Sequence, residues 1–262
     1  MMEYIYPTFG YGRIMKKELL WALRDYSYSA LQLQYRNYPD GIISGCKVQV
    51  EEDILHIAPG IIKCQEFVFL LSQGGNVKYE PTGVCTSLKF RLVDKERLED
   101  YTRYRTEIVL DEQIERKQNE IEICRFKLKK GAKLRVGYKD FYDVQTEYDT
   151  VNLANATWSA VEANTLSKEI TDYFARMVLE CENADCQDVN FAYYLLQSKE
   201  AVNYEVLNDY IARRTGNKTR KSCVSTEEAF WLLEGILDKI RRGIDSQEWI
   251  ETEIDQKMIV LD

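Results

Sequence analysis

From Lys16 onward, apolar residues recur at helical spacing: Leu19, Leu20, Leu23, Tyr26, Ala30, Leu31 and Leu33. This period predicts one helix over about 15–35, weakest near 26–29. Tyr38-Pro39-Asp40-Gly41 then supplies turn chemistry, with Pro presetting φ and Gly accepting a positive one. The pattern switches to period two in Cys46-Lys47-Val48-Gln49-Val50-Glu51, as a half-buried strand requires. Residues 54–58, 61–64, 67–71 and 87–93 read as further strands, with 73–76 as a loop. Residues 102–110 and 120–128 read as a long antiparallel pair joined by the polar stretch 111–119.

Beyond a polar, irregular stretch the period returns to 3.6. Ile170, Tyr173, Phe174, Met177, Val178 and Cys181 form one apolar stripe. Val189, Ala192, Tyr193 and Leu196 mark a second helix of this region, and Val206, Leu207, Tyr210 and Ile211 a third. Ser225-x-x-Glu228 is a capping-box pattern opening a fourth, with Phe230, Leu233, Ile236, Leu237 and Ile240. The tail ends in an apolar, strand-like run. The predicted class is α+β: an N-terminal arm and helix (1–40), a small antiparallel β-sandwich or barrel (41–145), a linker (146–166) and a C-terminal helical bundle (167–262). Two folding units are expected, meeting between about 140 and 166.

Composition narrows the chemistry. The 262 residues carry 35 Lys and Arg against 43 Asp and Glu, a net charge of -8. Such an acidic chain does not suit nucleic acid over its whole surface, and nucleic acid is not the expected partner. No stretch reaches the ~18 apolar residues of a membrane span, so no membrane partner is expected. The N-terminal residues lack the basic start and apolar core of a secretory signal. A single His excludes every intramolecular site that needs two. The seven Cys are odd in number and scattered, and read as reduced and mostly buried.

No motif carries catalysis. Gly10-Tyr-Gly12 lacks the third Gly of a dinucleotide loop. Residues 213–222 lack the second Gly before Lys-Ser or Lys-Thr of a phosphate loop. Cys181-x4-Cys186 has no second tight pair to complete a zinc site. Carboxylates at 51–53, 111–112 and 227–228 fall at turns and a helix start. No catalytic, cofactor-binding or metal-binding residue is therefore expected.

The positive signal is for contact. Tyr outnumbers Phe by 18 to 9, and Tyr combines a large apolar face with a polar tip. Residues 1–14 concentrate Tyr4, Tyr6, Phe9 and Tyr11 around Pro7, Gly10 and Gly12. Arg213, Arg214, Lys218, Arg220 and Lys221 form a basic loop. Both groups are candidate interface residues for an oligomer or a hetero-assembly.

The stretch 40–64, DGIISGCKVQVEEDILHIAPGIIKC, resembles a module of phage and prophage baseplate and tail-fibre-attachment proteins. Gly41, Gly45, Val48, Val50, Leu55, Ile57, Pro59 and Gly60 match its strand–turn–strand–Pro-Gly pattern. The stretch 104–130 is similar to the same proteins. The resemblance implies a non-enzymatic part of a phage tail, baseplate or contractile injection particle, acting by assembly with other tail or baseplate proteins. It implies synthesis in the bacterial cytoplasm and assembly into a virion or tail-like particle. The alternative is a particle-associated carbohydrate-binding or glycan-cleaving module.

Overall fold

The structure, a computed structural model, describes residues 10–12, 14, 16–99, 101–145, 148–216 and 225–244. The first helix, α1 (Lys17–Gln34), is unbroken through 26–29. It leads into four strands: β1 (Gly41–Gly45), β2 (Val48–Glu51), β3 (Ile54–Ile57) and β4 (Gly60–Cys64). They form one long hairpin bent at its middle. β2 pairs with β3 and β1 with β4, so Gly45 faces Gly60. Across the bend the Cys46 amide donates to the Pro59 carbonyl at 3.2 Å, and the Ala58 amide to that of Lys47 at 2.9 Å. The halves then enter different sheets.

The bend explains its glycines. Gly45 has φ +69°, and a Cβ there would lie 2.2 Å from the Pro59 carbonyl oxygen. A Cβ on Gly60 would lie 2.4 Å from Cys46 Sγ. Only a residue without a side chain fits either place. Two of the positions that carry the sequence resemblance are thus steric requirements of a folded-over hairpin.

β5 (Phe67–Leu71) extends the first sheet beside β4, and β6 (Gly75–Lys78) adds to the second beside β3. Part of the stretch expected to be a loop is therefore strand. The third sheet holds β7 (Cys85–Arg97), β8 (Thr102–Asp111) and β9 (Glu120–Lys127) in the order β8-β7-β9. The expected pairing of 102–110 with 120–128 is corrected: β7 lies between them and pairs with both. β7 is 13 residues long. Its charged second half, Asp94-Lys95-Glu96-Arg97, hid its true length.

A buried ion network fixes the crossover. Lys89, fully buried on β7, donates to the carbonyls of Gln113 (2.5 Å) and Glu115 (3.1 Å) and to the Glu120 carboxylate (3.2 Å). Arg91 reaches Glu120, Asp111 and Glu107 at 2.8–3.0 Å. The Gln113 amide, with Lys89 and Arg91, holds Asp111 below the ordinary carboxylate range. Glu120 is also held low: burial opposes this, but the Lys117 amide and the Arg91 and Lys89 cations outweigh it.

The stretch expected as a linker is instead the far edge of the first sheet. β10 (Trp158–Ser159) pairs with β1 in parallel, and β11 (Asn164–Thr165) with β10 antiparallel. Leu153, Ala154, Ala156 and Trp158 are buried. Two-residue strands show no period, so nothing in the pattern marked them. Among the described residues the strands make three open sheets, and none closes into a barrel, one of the two expected forms.

The helical region comprises α2 (Lys168–Leu179), α3 (Cys186–Gln197), α4 (Tyr204–Thr215) and α5 (Thr226–Arg242). Each has a side-chain N-cap: Ser167, Asp185, Asn203 and Ser225. Such a cap satisfies an otherwise orphaned backbone N–H of the first turn. Phe141, which follows the third sheet, stacks on Phe230 of α5 at 4.8 Å and meets Phe174 of α2 edge-on at 5.7 Å. One hydrophobic cluster runs from Ile42 on β1 to Ile240 on α5. The apolar tail lies outside the described residues.

Candidate interaction surface

α1 is the exception to this packing. It is 18 residues long and not one is buried. Its C-terminal end alone is anchored, on a small cluster of Tyr35, Ile43 and Val68 flanked by Leu31, Tyr38 and Ile61. Beneath it, Lys63 of β4 is buried, and its ammonium donates to the carbonyls of Tyr35 (3.0 Å), Arg36 (3.0 Å) and Tyr38 (2.6 Å). The end of a helix leaves carbonyls without intrahelical partners, and a cation is favoured there. Lys63 thus joins the end of α1 to the first sheet. The Tyr38 hydroxyl donates to Glu200 at 2.6 Å. Burial, then Glu200, pushes its pKa up.

The rest of α1 stands clear of the fold. Leu23 is 47% exposed, Tyr26 77% and Leu33 66%. Between α1 and the strands runs an open groove of about 900 Å³. Tyr28 and Leu31 line one side, and Phe67, Leu70, Tyr101 and Tyr104 the other. Phe67 stacks on Tyr104 at 4.3 Å, and Phe69 tilts against Phe90 at 5.4 Å. Those rings are preorganised by the β-fold, so little side-chain freedom remains to be lost when a partner covers them.

Of the sequence-predicted interface residues, Tyr11 is described and fully exposed. Tyr4, Tyr6, Phe9, Lys218, Arg220 and Lys221 lie outside the described residues. Arg213 sits at the end of α4 and pairs with Asp209, one turn earlier, at 2.7 Å. Arg214 turns inward: it is buried and donates to Asp185 (2.6 Å) and Asp188 (3.0 Å). Tyr210 also donates to Asp188 at 2.8 Å. Arg214 therefore joins α4 to the start of α3 instead of lying on a basic surface.

The structure also places the groups weighed for chemistry. His56 lies on β3, its Nδ1 2.8 Å from Asn76 Oδ1 of the neighbouring strand. Cys46, Cys64 and Cys124 are free and buried, Cys181 is half-buried and Cys186 exposed. Burial pushes the thiols of Cys46 and Cys64 up to about 12. Among the described residues no group of three or more His, Cys, Asp or Glu side chains is placed to hold a metal ion. No described helix is long and apolar enough to cross a membrane.

Sequence reasoning found α1 but named nothing for its apolar face to pack against. It did not single out Phe67 or Tyr104, whose pairing depends on β5 lying against the start of β8. The period of α1 was legible; that no element among the described residues covers it was not.

No protein-family model matches the chain, and no curated protein matches it in sequence. Two solved structures superpose on it weakly. One is the crystal structure of TssK, with 5% identity over 93% of this chain and 70% of that one, at a TM-score of 0.44. The other is a chain of the type VI secretion system TssK-TssF-TssG baseplate subcomplex determined by cryo-electron microscopy. It has 8% identity over 92% of this chain and 100% of that one, at a TM-score of 0.42.

Proposed function

We propose that the protein is a structural component of the baseplate or tail of a contractile injection particle, and that it acts by protein–protein assembly. The observation that carries this reading is α1: an amphipathic helix with no buried residue, fixed at one end to a β-fold. In proteins most of a helix's stability comes from packing of its apolar face. A helix built this way is suited to being covered by another subunit. The bent hairpin adds the kind of particle, through its resemblance to baseplate and tail-fibre-attachment modules. That resemblance takes in phage tails and other contractile particles. In its finer form the reading is an adaptor or fibre-attachment role, with other baseplate proteins as partners and the assembled particle as the place of action.

The test is affinity capture of the tagged full-length chain from its source cells, with the bound proteins identified by mass spectrometry. Sheath, tube and baseplate subunits should co-purify, and the protein should sediment with particles in a density gradient. A chain that co-purifies with no particle subunit and stays at the top of the gradient would remove the reading.

A further inference from the structure

α1 carries apolar residues on more than one face, and one of these faces forms a seam. Leu19, Leu23, Tyr26, Ala30 and Leu33 follow one another at intervals of four, three, four and three. That alternation is the 3.5-residue period of a helix that packs along another helix. At about 100° per residue these five side chains fall within roughly 80° of one another. Arg24, Tyr28 and Leu31, which line the groove, lie on an adjacent face. The seam is therefore separate from the surface that faces the β-fold.

We propose that α1 is a self-association element: the seams of α1 from two or more copies of this chain pack side by side in parallel. At α1, unlike the rest of the surface, charge does not oppose a second copy as the occupant. The whole chain carries -8, so most approaches between copies are repulsive. α1 is an exception, because Lys17 and Arg24 balance Glu18 and Asp25. Arg24 and Asp25 pair with each other at 2.5 Å, and all four charges lie on the side of the helix away from the seam. The heptad stripe is also self-complementary: in a parallel arrangement each seam residue meets its own copy. The Lys63 anchor directs the packing too. It ties the C-terminal end of every α1 to its own β-fold, so parallel helices set the β-folds together at one end of the bundle.

The purified full-length protein is the test sample, so the outcome is read without any particle subunit and is distinct from a failure of the capture experiment. Light scattering coupled to size exclusion, at tens of micromolar, should report a dimer or larger. Leu23→Glu combined with Leu33→Glu should weaken association by roughly a hundredfold and give a monomer, since each buried Leu is worth about tenfold or more. Circular dichroism should show the β-fold intact. A monomeric wild-type chain, or a double variant that associates as tightly as wild type, would overturn the proposal. Cross-linking keeps the test decisive should the double variant unfold. In a Cys186→Ser background, Leu33→Cys should be bridged between copies by a short bis-maleimide well above the parent level, and Arg24→Cys should not. Equal bridging at the two positions would count against the seam.

Discussion

α1 and α5 are helices of nearly the same length with a comparable apolar stripe, and they meet opposite fates. α5 buries Ala229, Phe230, Leu233, Ile236, Leu237 and Ile240 against α2, α4 and Phe141. α1 buries nothing. The helices differ in their caps and in their surroundings: among the described residues, none covers the stripe of α1. α5 has an N-cap at Ser225 and a left-handed C-cap at Gly243; α1 has no side-chain N-cap, and the carbonyls of its C-cap Tyr35 and of Arg36 and Tyr38 just beyond are satisfied by Lys63 from another element. One helix is complete within its domain, and the other is held out from it at one end.

The contrast is most easily broken by truncation. Phe230→Ala, which empties space between Phe141 and the helices, should destabilise the protein by about 3–5 kcal/mol. Tyr26→Ala on α1, measured on the monomer, should stay within about 0.5 kcal/mol. Urea denaturation of both variants checks the pair; equal losses would mean that α1 is packed against its own chain within the monomer.

The anchor gives a second, smaller effect. Lys63→Met leaves the carbonyls of Tyr35, Arg36 and Tyr38 without their donor and should cost about 1–3 kcal/mol. Amide exchange should speed up in α1 and its C-terminal turn and stay unchanged in α5. If α5 quickened equally, the two helices would belong to one cooperative unit.

Acid should separate the β-fold from both helices. The folded-state pKa values of Asp111 and Glu120 are depressed, so their contribution is complete above the ordinary carboxylate range, near pH 4. It is lost as the pH falls through their lower folded values. A urea midpoint that declines only below about pH 4, and declines less in Glu120→Gln, would agree with this. An unchanged decline in that variant would put the acid sensitivity elsewhere.

Probing should rank the surfaces without changing stability. Limited chymotrypsin on the monomer should cut first among the described residues at Tyr26 or Tyr28 on α1, and spare Tyr148, Leu153, Trp158 and Leu166, where the chain is woven into the first sheet. The same digest tests the expectation of two folding units meeting between about 140 and 166: cleavage in that window, yielding two protected fragments, would bear it out. Among the described cysteines, Cys186 should react fastest with a maleimide. Cys46, Cys64 and Cys124 should react slowly until the protein unfolds.

Elements with a period were legible in the sequence. α1, strands β2 and β3 of the bent hairpin and the four C-terminal helices follow 3.6- or 2-residue patterns that backbone geometry imposes; β1, Gly-Ile-Ile-Ser-Gly, shows no such alternation and was not foreseen as a strand. The order of the strands was not legible. β8 and β9 each alternate well enough to pair with one another, and only the long reach of β7 decides that they do not. β10 and β11 are too short to show alternation, so a sheet edge read as a linker. Arg214 shows the same limit for single residues: beside Arg213 it looks like part of a basic loop. Only the fold brings Asp185 and Asp188 of α3 within its reach.

Lys63 also has a mechanical meaning. A tug on α1 reaches the first sheet by two routes: along the covalent chain into β1, and through three hydrogen bonds into β4. These strands are antiparallel neighbours, joined at Ile42 and Ile62. Tension entering both loads the middle of the sheet and does not peel a strand from its rim. α1 is thus a handle riveted to the strongest part of the plate, able to carry force into the body of the protein before it tears free.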